Sequence, residues 1–286
     1  MQQAFFASLP ALSYEPETVA HYNRVEAAGG KGIELAYLNA VVKFLKDNKL
    51  LDSLVSWWEP SLGYLLSSGQ VMRQFSLGGA ARDLVPVSSY ACPTLTSSGY
   101  AGLPELQFNQ AVLGTPSFPL GPSQYAIATV LRTTVNTTST PQSLLGYGPD
   151  AASLIGVYNA NGKIVCDHVL GYNGTEAGVF HGNSDNYNAQ QLRVSMRFLA
   201  GRATPAEVIV KSLGVTTTNY SLNSVRGAMT SAQQNKLFTL GATTRYGALE
   251  RATNVAISCC VVLSTEDATA TAALDTFLRT RYLMPA

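Results

Sequence analysis

The residues able to do chemistry in this 286-residue chain are few and scattered. Glycoside hydrolysis needs two carboxylates roughly 5–10 Å apart, and a strand supplies them by alternation, because every second side chain shares a face. No Glu-x-Asp-x-Glu run occurs. The nearest acidic pairs, Glu15 with Glu17 and Glu266 with Asp267, sit at expected helix starts, where capping accounts for them. For nucleophilic catalysis the chain offers His21, His168 and His181, with no Gly-x-Ser-x-Gly elbow beside them. Cys166 and His168 lie two apart on an expected strand, a spacing that reads as a structural thiol near a hairpin rather than a dyad. Cys92, Cys166, Cys259 and Cys260 show neither CxxC nor Cys/His metal spacing and are expected to be reduced, buried thiols of a protein made in a cytoplasm. No catalytic residue, metal ligand or cofactor is assigned, and the chain is expected not to be an enzyme.

The stretch "HGNSDNYN", residues 181–188, is the best candidate for ligand contact. Asn183, Asp185, Asn186 and Tyr187 combine amides, a carboxylate and an aromatic ring, the mixture with which a loop holds a sugar or a calcium ion. The same residue types also build ordinary turns, and the spacing matches no dedicated calcium loop. Asn-x-Ser/Thr triplets at Asn136, Asn173 and Asn219 are expected by chance in a Thr- and Asn-rich chain. "GTPSFPLGPS", residues 114–123, reads as a rigid loop between strands.

Two kinds of element must position these residues. Pro16 stands where an N1 proline would, Val19, Tyr22 and Val25 follow at helical spacing, and Gly29-Gly30 is a stop. A second helix is predicted from Ile33 to about Asn48, with Leu35, Leu38, Val42 and Leu45 as one apolar stripe. That stripe must pack on the rest of the chain or on a neighbouring subunit, so these four are also the candidate assembly interface. Leu50 to Trp58 read as a shorter helical or irregular piece ended by Pro60.

From about Gln70 short apolar or alternating runs alternate with turn residues. "ELQFN", "YAIATVLRTT", "SLLGYG", "SLIGVYNA", "KIVCDHVLGY", "LRVSMRFLA", "AEVIVKSLGV", "KLFTLGAT" and "NVAISCCVVL" each predict a strand, and "NANG" before Lys163 marks a hairpin. Nine such runs predict a β-sandwich. A last helix is expected after Leu263, capped by Ser264 with Asp267 completing a capping box, and with Ala270, Leu274, Phe277, Leu278 and Arg281 on one face. Cys259 and Cys260, adjacent on the last strand, must point to opposite faces. The expected division is an N-terminal helical attachment or assembly segment, residues 1–69, and a sandwich with its C-terminal helix, residues 70–286.

Composition narrows the partners. Nineteen Lys plus Arg against 18 Asp plus Glu leave a net charge of +1 with no like-charge run, which argues against nucleic acid. Charged residues are only 13% of the chain, about half the usual share, as suits a surface covered by neighbours in an assembly or kept soluble by neutral polar groups. No 18-residue apolar span is present, so membrane insertion is not expected. The start, "MQQAFFASLPALSYEPE", lacks a basic region before its apolar part and reads as mature structure.

So ordered, residues 100–285 resemble the concanavalin A-like jelly roll, in particular its laminin G-like branch. The likeness rests on "LPELQFNQAVLGTPSFPLGPSQYAIATVLRTT", on "LLGYG" with "SLIGVYNANGKIV", and on the closing "LFTLGATTRYGALERATNVAISCCVVLSTEDATATAALDTFLRTRY". The segment "HYNRVEAAGGKGIELAYLNAVVKFLKDNKLLDSLVSWWEPSLGY" is similar to the helical lead-in of structural proteins of tailed bacteriophages, with Arg24, Val25, Ala27, Gly29 and Gly30 matching its Arg-Val-x-Ala-x-Gly-Gly turn. These resemblances imply a mainly β, concanavalin-like jelly-roll β-sandwich with an N-terminal helical hairpin and a short C-terminal helix. They imply a non-enzymatic virion component, made in the host cytoplasm, whose partners are other virion proteins, further copies of itself (trimers are common in such surface proteins) and a host-surface glycan. A tail fibre or spike is the first reading, a capsid decoration protein the second, and a carbohydrate-active enzyme or free lectin the alternative of another class.

Overall fold

The computed structural model describes residues 13–87, 90–121, 123–133, 142–148, 155–160, 163–168, 191–199, 207–212, 215–217, 231, 234–245, 248–251, 255–265 and 267–284. Backbone alone is described for 133, 142–143, the strands between 155 and 217, 243–245 and 248–251. Three helices, α1 (Pro16–Ala27), α2 (Leu35–Asp47) and α3 (Ala268–Arg281), accompany eighteen strands among these residues. The strands are β1 (Leu54–Trp58), β2 (Tyr64–Ser67), β3 (Gln70–Gln74), β4 (Val85–Pro86), β5 (Thr94–Thr96), β6 (Glu105–Phe108), β7 (Leu113–Phe118), β8 (Gln124–Thr133) and β9 (Gln142–Gly148). They continue as β10 (Ile155–Ala160), β11 (Lys163–His168), β12 (Gln191–Leu199), β13 (Glu207–Ser212), β14 (Val215–Thr217), β15 (Lys236–Leu240), β16 (Ala242–Arg245), β17 (Ala248–Arg251) and β18 (Val255–Leu263).

The larger sheet runs β14-β13-β12-β8-β18-β6-β5-β3-β2, with β1 also paired to β18, and the smaller runs β11-β10-β9-β15-β7-β4. Every pairing in both is antiparallel. One core lies between the sheets, where Trp58 of the larger stacks on Phe238 of the smaller with centroids 5.0 Å apart and Phe118 completes the cluster. A second core lies on the other face of the larger sheet, between Ala126, Ala128, Val130, Val261 and the helices α2 and α3. The expected β-sandwich, with helices near both ends of the chain, is what forms.

Strand β18 shows why an unbroken apolar run was needed. It lies inside the larger sheet with both faces covered, so all nine of its residues are buried. Its register against β8 skips Ser258, which places Ile257 opposite Leu131 and Cys259 opposite Val130. This β-bulge re-phases the alternation. Val255, Ile257, Cys260 and Val262 enter the core between the sheets, whereas Cys259, Val261 and Leu263 enter the core under the helices.

Several expectations are corrected. Leu54–Trp58 is strand β1, not a helical piece, because its pairing with β18 satisfies its backbone and lets Trp57 and Trp58 fill one core each. Residues 54–67 therefore belong to the sandwich, and a boundary after residue 69 cuts the turn between β2 and β3. The proline-containing stretch read as a loop includes β7; two residues, Pro116 and Ser117, face Leu237 of β15 there, and the bulge accommodates a residue without an N–H. Helix α3 begins later than expected. Asp267, not Ser264, is its cap, accepting from the Thr269 and Ala270 amides at 2.8 and 3.3 Å, while the Ser264 hydroxyl bonds the Ser53 carbonyl.

Candidate functional site

The loop residues Asn183, Asp185, Asn186 and Tyr187 lie outside the described residues. The other candidate surface is corrected: Leu38, Val42 and Leu45 are wholly buried in the core beneath α2, with Leu35 packed at its margin, so the chain's own sheet takes the stripe proposed for assembly. The hydrophobic gain from covering four large side chains is reached within the chain. Glu15 and Glu17 do not cap α1; they meet Lys46 of α2 at 2.7 and 2.6 Å. Cys166 and His168 occupy β11, the outermost described strand of the smaller sheet.

Two polar clusters of titratable groups involve the helices. The first surrounds Glu59, which is almost completely buried. Its carboxylate accepts from the Tyr37 hydroxyl at 2.7 Å and the Trp57 indole N–H at 3.2 Å, and Arg281 Nε lies 3.4 Å away. Burial raises the Glu59 carboxyl above its ordinary range, against the pull of Tyr37 and Arg281. Arg281 also donates to Glu34 at 2.9 Å and to the Ser61 hydroxyl at 3.0 Å, and its guanidinium lies 3.7 Å from the Tyr37 ring centre. This carboxylate ties α2, β1 and α3 together and shares the Arg281 guanidinium with the Glu34 carboxylate.

The second cluster explains the Arg-Val-x-Ala-x-Gly-Gly turn. Arg24 donates to both oxygens of Asp83 at 3.0 and 2.9 Å and to the Ser76 carbonyl at 2.6 Å. The Nη2 that donates to Ser76 also lies 3.3 Å from His21 Nδ1, and His21 Nε2 is 2.7 Å from the Leu62 carbonyl. Burial, opposed by the bond to Leu62 and aided by Arg24, lowers the His21 pKa to about 4. Val25 is wholly buried. Gly29, at φ +73°, closes the helix as the Gly30 amide reaches back to the Val25 carbonyl at 2.9 Å. A Cβ on Gly30 would overlap Val25 and Phe75. The motif is thus a docking device for α1, and its partner Asp83, 59 positions away, carried no signal in the sequence.

Cys259 and Cys260 are free and buried, and burial raises both thiols, so neither is poised as a nucleophile. Among the described residues no group of three or more His, Cys, Asp or Glu is arranged to hold a metal ion, and no helix is long and apolar enough to cross a membrane. An open groove of about 760 Å³ runs between α2 and α3, lined by Phe44 and Phe277, whose rings stack at 4.4 Å. Ala40, Ala272 and Thr276 form its walls, and Tyr37 and Arg281 close one end. Such a surface fits an apolar group far better than a sugar.

No family model matches the chain, and no curated protein matches it in sequence. Solved structures do. The chain is similar to a Trypanosoma rangeli sialidase mutant displaying trans-sialidase activity, at 14% identity and a TM-score of 0.52, covering 88% of this chain and 40% of that one. It is similar to the binding domain of botulinum neurotoxin serotype D, at 8% identity and a TM-score of 0.53, covering 81% and 53%. The binding domain of botulinum neurotoxin DC in complex with SialylT gives 10% identity and a TM-score of 0.52, covering 79% and 52%. The chain spans about half the length of these proteins or less. At such identities the likeness is one of fold: the chain carries a β-sandwich similar to theirs.

Proposed function

We propose that the chain is a non-enzymatic structural protein of a bacteriophage particle that presents its lectin-type sandwich to a host-surface glycan, as a tail fibre, spike or other receptor-binding component. The observation that carries this reading is the likeness of the sandwich to neurotoxin binding domains, one of them bound to SialylT. Two further features support it. The helical lead-in is fastened onto the sandwich through Arg24 and Asp83, and the placed carboxylates Glu59, Asp83 and Glu105 are each engaged by an arginine.

A capsid decoration role is the second reading, favoured by the low charge of the chain, since surfaces shared with shell subunits carry few charges. The likeness to a sialidase keeps the enzyme alternative in view. Mass spectrometry of heads and tails separated from purified particles tests the proposal. Recovery with tails supports receptor binding, recovery with heads supports decoration, and absence from both overturns the virion reading.

A further inference from the structure

We propose that His21 and Arg24 form an acid-operated catch: protonation of His21 releases helix α1 from the sandwich while the two sheets stay folded. The geometry leaves the ring one proton and no room for a second. Arg24 can only donate, so His21 Nδ1, 3.3 Å from it, must accept, and Nε2 carries the hydrogen that is donated to the Leu62 carbonyl at 2.7 Å. A second proton has to enter at Nδ1, where it would point at the guanidinium. His21 is 5% exposed, so water cannot shield the two cations. Arg24 cannot turn away without giving up Asp83 and the Ser76 carbonyl.

Other charges surround the catch. Arg73 of β3 stands near Asp83 and beside Phe75, adding positive charge on the same side. Burial raises the Asp83 carboxyl, so its proton uptake favours the docked state and opposes the effect of His21. At the start of α1, Lys46 holds Glu17 below its ordinary range, so what that pair contributes is lost as the pH falls through the lowered value; Glu15 and Lys43 stand beside it. The His21 contribution to the docking of α1 falls between pH 6.5 and 4. A ring that titrates near 4 when docked and near 6.5 when released shifts the balance toward release on the order of 100-fold from pH 7 to pH 4. Release would bare Phe75, which Val25 and Gly30 now cover.

Hydrogen exchange read by mass spectrometry, corrected for the intrinsic pH dependence of exchange, tests this on the full chain. Protection of residues 16–30 should fall on the order of 100-fold between pH 7 and pH 4, with β18 unchanged. In His21→Gln, whose amide can accept from Arg24 and donate to Leu62 without titrating, that fall should vanish. Unchanged protection in the native chain, the same fall in the variant, or loss of β18 together with α1 would overturn the proposal. Should the variant not fold, the His21 ring resonance of the native chain decides: a midpoint near 4 that coincides with shifts of the α1 amides supports it, and a midpoint near 6.5 overturns it.

Discussion

Replacing Arg24 with Met should cost the protein about 2–3 kcal/mol. Methionine keeps an apolar stem as far as arginine's Nε but removes two bonds to Asp83 and one to the Ser76 carbonyl. Taking one member from a buried pair costs about 3–5 kcal/mol. The lower end applies, because the Arg24 side chain is 25% exposed and Asp83 keeps the Ser76 amide at 2.8 Å. Urea unfolding followed by the fluorescence of Trp57 and Trp58, both buried, measures it. Asp83→Asn should cost about as much, and the double variant should cost less than the sum by about 1.5 kcal/mol, since the second change removes a charge the first had stranded. A single cost below about 0.5 kcal/mol, or additive costs, would refute the view that this pair fastens α1 to the sandwich.

Three other outcomes are expected. Cys259 and Cys260 should ignore a thiol reagent until denaturant is added, as mapped by mass spectrometry of labelled peptides, and replacing both with Ala should leave any glycan binding intact in the folded protein. Asp267→Ala should destabilise the chain by about 1 kcal/mol in thermal or urea unfolding, as loss of a helix cap does, and more than Ser264→Ala, which only removes a 3.3 Å bond to the Ser53 carbonyl. Gly30→Ala should cost about 1–3 kcal/mol through overpacking against Val25 and Phe75, while Gly69→Ala, where a Cβ meets nothing, isolates the penalty of a positive φ alone.

The elements legible in the sequence were those with a period of their own. All nine apolar or alternating runs became strands, and α1 and α2 follow the spacing of Val25 and of Leu38, Val42 and Leu45. What stayed hidden depends on distant partners. "LVSWW" is apolar at every position but Ser56, so its period cannot separate strand from helix, and β18, some 200 residues later, decides the matter. β4, of two residues, and β3, a mostly polar five, bury too little to leave a pattern. The opposite facing of Cys259 and Cys260 followed from strand geometry, but the bulge at Ser258 that assigns each to its core did not. Likewise Arg24 and the two glycines were visible as a motif, whereas Asp83, Ser76 and Phe75, the groups that give the motif its purpose, lie on other segments.

The central claim is that the sandwich binds a glycan and leaves it whole, and an array of host-surface polysaccharides that includes sialylated glycans, followed by assay of released reducing ends, tests it most directly. The account expects retention on at least one glycan with no reducing ends released. Retention on none would contradict the receptor-binding reading, and release of reducing ends from a bound glycan would contradict the claim that the protein is not an enzyme.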